Sequence, residues 1–466
     1  MKYFGLHWLG SKDYKDSNHV CHDSSVSVFN EDGSLHFHGQ IERYSRIKRD
    51  SSRYDKIYDF FPNLCKPQNG DIVACVNNTG MPFSSNAMCV DHHLAHAVAS
   101  WCFRTDNKSR NFISYDGYGR GIDGSLNHSL VGKFSENDCI VGKSNTIPSS
   151  INLGKPLGIF NVGKLMGLAG CFPNSPELSN INFDHSNNLT IDQMQQAAGY
   201  YRYHINKIWS GIEPVLDGPV VIGGGTTLAL ELNSRIFQKT KEVVFAPCAD
   251  DSGISLGCAA YAFFVKNKRW PYPFDTASLI NQSRPHISEG PQNPKEIAKI
   301  LFEGKVCAVI RGKSECGPRA LGNRSIFASA SSSQMKFYVS EKIKGRESYR
   351  PLAPIVTNKE FSRFFVGPQG DYMQYMVYCT EEAKNIIPAV VHTDGTSRPQ
   401  VVYPKDQWLY ELLVEYGKLS GSECLINTSL NSGGLPIAEN VNHAKADLKY
   451  HDVVLCVIGD KNIKQL

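Results

Sequence analysis

The densest chemistry in the chain lies in VDHHLAHAVAS, residues 90–100, where three histidines and an aspartate fall within six positions. His92 and His96 stand four apart, and His93 and His96 three apart. On a helix either spacing puts both imidazoles on one face, the arrangement that two ligands of one metal ion need. Leu94 and Ala95 fill the middle, so the glutamate of the HExxH metallopeptidase signature is missing, and with it that enzyme's general base. The competing reading is a polar helix start, with Asp91 as its cap and the histidines facing water.

Other chemistry-bearing residues are scattered over the first 270 positions. His22 and Asp23 precede an alternating strand, and Glu42, Arg43, Arg46 and Lys48 gather charge at the end of the next; an ordinary solvated strand end explains the latter equally. NFISYDGYGRG places Asp116 at a strand end among glycines, where a carboxylate can reach an ion or phosphate, or simply make an Asp-Gly turn. NVGKLMGLAG carries Lys164 in a glycine-punctuated helix or loop. PVVIGGGTTLALELNSRIF reads as a buried strand, a turn and a helix from about Thr227. Gly223, Gly224 and Gly225 would let a nucleotide phosphate approach backbone N–H groups, although a tight strand-helix turn needs the same residues. Asp250 and Asp251 open a further helix, as caps or as part of a metal site.

The C-terminal part has a different character. RGKSECGPRALGNRS and KIKGRESYRPLAP bring Arg311, Lys313, Arg319, Arg324, Lys344, Arg346 and Arg350 into glycine- and proline-rich context with few acids. Guanidiniums offer bidentate donors to phosphate and carboxylate, so these stretches read as an anion pocket rather than a solvated basic surface. HTDGTSRPQVV, read as a hairpin, adds Arg398, and ECLINTSLNSGG adds Ser429 and Asn431 in a polar loop after a strand.

The elements that must position these groups alternate between strand and helix. SSVSVF and SLHFHGQIE flank an Asn30–Gly33 turn as a hairpin, and short apolar runs at DIVACV and NAMCV lead to the histidines. A second strand-helix series follows, the order of a two-lobed α/β ATPase of the actin, sugar-kinase and Hsp70 type. NKRWPYPFDTASLINQSRPHISEGPQNP holds five prolines and little periodicity, which puts a boundary there. No internal repeat is visible. The 466 residues suffice for two or three domains, and 49 basic against 45 acidic residues permit anionic substrates without marking a nucleic-acid patch. Fourteen cysteines without a CxxC pair argue against zinc knuckles and point to a reducing, cytoplasmic compartment. Neither a signal-peptide core nor an apolar run long enough to span a bilayer stands out, so no membrane association is expected.

CHDSSVSV with ERYSRIK, DHHLAHA, YDGYG, GKLMGLA, GGG with NSRI, DDSGISLG, ECGPRALGNRS, KGRESYRPLAP, HTDGTSRPQ and NTSLN together resemble the NodU/CmcH family of O-carbamoyltransferases, in that family's order. The resemblance implies a Kae-type, actin/Hsp70-like two-lobed ATPase domain over residues 1–270, a linker over 271–295 and a YrdC-like α/β domain over 296–466. It also implies that ATP and carbamoyl phosphate form carbamoyl adenylate in the second domain, and that the first passes the carbamoyl group to an acceptor hydroxyl. That acceptor is expected to be a 5-hydroxymethylpyrimidine nucleotide or DNA base, or else a natural product or sugar. His92, His96, Asp116 and Asp251 match the family's metal ligands, for which iron(II) is the usual ion, with magnesium accompanying ATP. Lys164, Gly223, Gly224, Gly225, Arg319, Arg324, Lys344, Arg346, Arg350, Arg398, Ser429 and Asn431 fall in motifs that hold nucleotide and carbamoyl phosphate. His22, Asp23 and His93 are the candidates for base or acceptor contact. Other classes are a catalytically silent nucleotide-binding protein and a threonylcarbamoyl-transfer enzyme acting on tRNA. The oligomeric state stays open, a homodimer included. The chain departs from the family pattern at Ala229, where asparagine is usual, and at FASASSS after GNRS.

Overall fold

A computed structural model describes residues 1–8, 22–50, 57–62, 64–76, 87–149, 162–181, 189–280 and 284–459. The chain divides into two compact units, Met1–Val162 with Tyr203–Asn281, and Gly163–Arg202 with Gln282–Leu466.

Two five-stranded sheets build the first unit. One contains β1 (Lys2–His7), β2 (Ser25–Asn30), β3 (Leu35–Gln40), β4 (Ile72–Val76) and β5 (Met88–Val90), in the order β3-β2-β1-β4-β5. The other contains β6 (Arg110–Arg120), β7 (Leu126–Phe134), β8 (Cys139–Ser144), β9 (Val220–Gly223) and β10 (Val243–Phe245), in the order β10-β9-β6-β7-β8. Each has an antiparallel meander on one side of its first strand and parallel pairing on the other. The same topology therefore occurs twice, which is the two-lobed plan expected; the duplication lives in strand order and leaves no trace as a sequence repeat.

Helix α1 (His92–Trp101) follows β5, α2 (Val162–Cys171) opens the next stretch, and α3 (Ile254–Asn267) follows β10. α1 packs on β6 and β9, α3 on β1, β2 and β4, and the two helices pack on each other. All ten residues of α1 are buried, as a helix enclosed on every side requires. Gly257 permits the approach, because a Cβ there would lie 1.9 Å from the Ala95 carbonyl oxygen. This helix pair brings the histidines of α1 and the start of α3 together.

The second unit holds β11 (Cys307–Arg311), β12 (Arg324–Ser329), β13 (Ala353–Thr357), β14 (Phe365–Val366), β15 (Val377–Cys379), β16 (Thr396–Ser397), β17 (Gln400–Val402), β18 (Cys424–Ser429) and β19 (Val454–Ile458). Six of them form a mixed sheet, β17-β13-β18-β12-β11-β19. Helices α4 (Pro294–Phe302) and α5 (Gln407–Ser420) cover it with Ile297, Leu301, Leu409 and Leu413. The segment read as a hairpin, HTDGTSRPQVV, is not one. β16 pairs with β15 in a small sheet and β17 pairs parallel with β13 in the large one, and Pro399 between them has no N–H to continue a ladder.

The units do not follow the sequence boundaries in full. Residues 163–202 cluster with the C-terminal unit, tied there by an ion pair from Lys164 Nζ to Glu347 Oε1 at 2.6 Å. Within the expected linker, the Tyr272 and Phe274 N–H groups donate to the carbonyls of Gly33 and Cys102, whereas Glu289 bridges Val457 in the second unit.

Candidate metal centre and anion site

His92 and His96 lie one turn apart on α1, whose first turn is capped by Asp91 accepting from the Leu94 N–H at 2.9 Å. The capping half of the alternative reading therefore holds, but the histidines do not face water: His92 is 3% exposed and His96 fully buried. Asp116 comes from β6, which runs on to Arg120 instead of ending at the aspartate. A register shift between Tyr115 and Gly119 bulges the strand at Asp116. Gly119 clears the space beside it, since a Cβ there would lie 2.3 Å from His92 Cδ2. Asp251 arrives from the 3-10 turn Asp251–Gly253 that leads into α3.

One ligand atom from each of these four residues lies within 4.8 Å of the others. His96 Nε2 is 3.0 Å from Asp116 Oδ2 and 3.3 Å from Asp251 Oδ1, and His92 Nε2 is 3.5 and 3.8 Å from the same two oxygens. The two Nε2 atoms are 3.2 Å apart, too close for each to carry a proton toward the other. Burial alone would lower the His96 pKa, yet hydrogen bonds to Asp116 and Asp251 hold it up to about 9. Burial would raise both carboxyls, but the imidazoles keep Asp116 and Asp251 below the ordinary carboxylate range. Positive charge is thus demanded at the centre of the cluster, and two imidazoles with two carboxylates suit iron, manganese or zinc.

Around this centre sit groups of unequal promise. His22 Nδ1 is 2.8 Å from Asp23 Oδ2 and 3.8 Å from Asp251 Oδ2. Against the opposing effect of burial, Asp251 and then Asp23 lift its pKa to about 9. Burial and the charge of Asp23 push the Asp250 carboxyl up to about 7, and Asp250 accepts from Ser252 Oγ at 2.5 Å instead of capping the helix. His93, a candidate for base or acceptor contact, is turned away from the four-residue cluster's ligand atoms toward Asn127. It is fully buried, its Nε2 donates to the Asn127 carbonyl at 3.0 Å, and burial with the nearby His92 lowers its pKa to about 3. His7 was missed in the sequence: its Nε2 lies 3.0 Å from the His22 carbonyl oxygen and 3.5 Å from Asp251 Oδ2. A single histidine at the buried end of a strand gave little to distinguish it from core.

The glycine triplet is also part of this neighbourhood. A Cβ on Gly223 would lie 2.7 Å from the His96 carbonyl oxygen, one on Gly224 2.1 Å from that of Tyr115, and one on Gly225 3.0 Å from Asp116 Oδ1. Gly224 has φ +96° and Gly225 begins a 3-10 turn, with the helix starting at Leu230 instead of Thr227. The triplet thus seats the strand-helix turn against the two metal-facing segments.

In the second unit the candidate cations separate into two kinds. Arg324 is fully buried on β12, with Nε donating to the Glu439 carbonyl, Nη1 to those of Arg311 and Asn323, and Nη2 to that of Gly312. Lys344 is 4% exposed, with Nζ 2.7 Å from the Ser429 carbonyl oxygen, 2.6 Å from that of Asn431 and 2.5 Å from Asn431 Oδ1. Ser429 Oγ donates to the same Asn431 Oδ1 at 2.6 Å. Arg324 and Lys344, both expected in motifs that hold the anionic substrates, direct N–H groups to oxygens of the surrounding loops.

Arg319, Arg346, Arg350 and Arg398 behave oppositely. Burial and then Arg350 lower Arg346 to about 9, and burial with Arg319, Arg346 and Arg350 lowers Arg398 well below its ordinary value. The Nε atoms of Arg346 and Arg398 are buried without a hydrogen-bond partner among the described residues. Acidic relief comes from Glu347, 3.8 Å from Arg350 Nη1 and bound to Lys164. Arg346 and Arg398, each with a buried Nε unpaired among the described residues and each feeling the charge of Arg350 and Arg319, make a group that an oligoanion would neutralise.

Residues 298–465 match the family described as Carbamoyltransferase C-terminus. Nodulation protein U of Rhizobium tropici is 36% identical over 229 residues, covering 47% of this chain and 40% of that protein. Nodulation protein NolNO of Sinorhizobium fredii is 26% identical over 442 residues, 81% of this chain and 64% of its own length. The 3'-hydroxymethylcephem-O-carbamoyltransferase of Streptomyces clavuligerus is 31% identical over 252 residues, 52% of this chain and 48% of that enzyme. The chain spans less than two thirds of the length of each of these relatives. No helix among the described residues is long and apolar enough to cross a membrane.

Proposed function

We propose, from the resemblance to the NodU and CmcH carbamoyltransferases now borne out and the membership of residues 298–465 in their C-terminal family, that the protein is an ATP-dependent O-carbamoyltransferase. The second unit would make carbamoyl adenylate from ATP and carbamoyl phosphate, and the first would pass the carbamoyl group to an acceptor hydroxyl. The observation that carries this reading is the convergence of His92, His96, Asp116 and Asp251 from three distant segments on one point.

Carbamate is a poor electrophile, and adenylation gives it a phosphate leaving group. Arg319, Arg346, Arg350 and Arg398 would hold the anionic substrates, their repulsion relieved by each phosphate bound. Lys344 keeps the Ser429–Asn431 turn in place, and Arg324 fixes β11, β12 and the Glu439 carbonyl around that pocket. In the first unit, a divalent metal on the four ligands, iron(II) by family resemblance, would supply Lewis acidity toward phosphate and carbonyl oxygens. His22 would take the acceptor's proton, with Asp23, 2.8 Å from its Nδ1, orienting the ring. Its imidazole is held protonated chiefly by Asp251; once that carboxylate's charge is shared with a cation, His22 moves toward the neutral form a base needs. For the acceptor we favour a 5-hydroxymethylpyrimidine in a nucleotide or in DNA, in keeping with the slight basic excess, ahead of a sugar or natural product.

Incubation with ATP, carbamoyl phosphate and iron(II) should yield pyrophosphate and, by mass spectrometry, carbamoyl adenylate. A folded protein that forms neither would end the transferase reading. A panel of hydroxyl acceptors, with hydroxymethylcytosine DNA beside sugars, then decides the acceptor by which one gains the mass of one HNCO unit.

A further inference from the structure

Asn427 stands inside the large sheet of the second unit, on β18, paired with Phe327 of β12 on one side and Ala353 of β13 on the other, and it is 1% exposed. Leu425, two residues before it and on the same face, belongs to the apolar core, so an apolar side chain would pack at this position equally well. An amide buried there costs free energy unless each of its polar atoms finds a partner.

Half of the amide does. Asn427 Nδ2 donates to Gln400 Oε1 at 2.7 Å and to the Ala320 carbonyl at 3.1 Å, and Gln400 Nε2 donates to the Leu321 carbonyl at 2.8 Å. The two carbonyls fix which way both amides face, because turning either one over would set oxygen against oxygen. Asn427 Oδ1 is thereby left as a buried acceptor with no hydrogen-bond partner among the described residues.

Its surroundings say what would satisfy it. Ala320 and Leu321 directly follow Arg319, Gln400 follows Arg398 by two residues, and Ser429, whose Oγ is 3.3 Å from Lys344 Nζ, is the next residue on the same face of β18. The cations at this site take acceptors from an anion, whereas Asn427 Oδ1 takes only a donor. Carbamoyl phosphate combines the two: oxygens on its phosphate and N–H groups on its carbamoyl end alone. We propose that Asn427 is a specificity-determining residue for the carbamoyl donor, its Oδ1 accepting an N–H of the carbamoyl group, with Gln400 as the positioning residue that holds the amide in register. The assignment rests on the adenylate-forming reading of this unit. An acyl phosphate with a methyl group in place of the amino group leaves the buried oxygen unpaired, and one with a carboxylate there brings oxygen to oxygen; both are rejected.

The test compares kcat/KM for pyrophosphate release from ATP, driven by carbamoyl phosphate or by acetyl phosphate, in the full chain. The wild type should prefer carbamoyl phosphate by more than about hundredfold. Asn427→Ala should lower kcat/KM for carbamoyl phosphate and leave that for acetyl phosphate little changed, so that the preference collapses. Gln400→Leu, which keeps the oxygen but frees the amide, should lose a smaller part of it. Equal falls with both donors in Asn427→Ala, the result of a packing role or of a contact to the adenine amino group, overturn the proposal. So does a wild type that uses both donors alike, a measurement that serves if Asn427→Ala does not fold. A folded wild type inactive with either donor overturns the adenylate reading itself, and this assignment with it.

Discussion

The two candidate sites solve opposite electrostatic problems. In the first unit, imidazoles meet carboxylates, and His96, Asp116 and Asp251 shift one another's protonation in the directions that keep them charged. In the second, burial and neighbouring guanidiniums depress Arg346 and Arg398, and the buried Nε of each has no hydrogen-bond partner among the described residues. A cluster of mixed sign can be assembled by folding alone and then exchange a proton for a metal. A cluster of one sign is assembled at a cost that only a ligand removes. On the proposed function, the first site would be preformed and the second completed by its anion.

The strongest way to break this division is His96→Ala. It removes one of the four candidate ligands, so carbamoyl transfer should fall by more than about hundredfold. Pyrophosphate release from ATP and carbamoyl phosphate should stay within about threefold of the wild type, since the arginines are untouched. Equal loss of both activities would mean that the two sites do not divide the labour as proposed.

Next in size is a pair of substitutions within the second unit. Arg324→Met strands the carbonyls of Glu439, Arg311, Asn323 and Gly312 and should cost about 3 kcal/mol in chemical denaturation. Arg398→Met relieves like-charge repulsion and should leave stability unchanged or raise it, while abolishing adenylate formation. If the two variants destabilise alike, the distinction between spent and unspent guanidiniums fails. Pyrophosphate sharpens the same point without a substitution. At about a hundredfold excess over its dissociation constant it should stabilise the wild type by about 2.7 kcal/mol. Arg398→Met should gain much less in the same thermal melt.

The contrast also explains what the sequence disclosed. His92 and His96 were legible as a pair because helix periodicity puts them on one face, whereas Asp116 and Asp251, open to a turn and a cap on their own, joined them only through the family resemblance. The second site was legible as a concentration of arginines, but residue type does not reveal where each donor is spent. Arg324 and Arg398 look alike in sequence, and only the fold sends one to carbonyls and leaves the other open. The attachment of 163–202 to the C-terminal unit was hidden for a related reason: the Lys164–Glu347 pair joins residues far apart in the chain. His7 and the duplicated sheet topology depend on strand pairing, which the local pattern does not encode.

The smallest expected effect asks whether the balance of the first site involves two imidazoles or three. His93 is adjacent to both ligands, yet its Nε2 is committed to the Asn127 carbonyl and its pKa is lowered to about 3. Below the unfolded value of 6.5, the unfolded chain takes up a proton that the folded chain refuses, so this group's contribution to stability falls as the pH drops. The loss should be about 1.4 kcal/mol per pH unit between 6.5 and 5. His93→Gln keeps an N–H for Asn127 and cannot titrate. Other groups titrate alike in both proteins, so the stability gap between wild type and variant, measured by urea denaturation, should shift in the variant's favour by about 2 kcal/mol over that interval. Parallel curves would mean that His93 protonates in the folded state, returning it to the candidates for base and giving the metal centre a third positive group to balance.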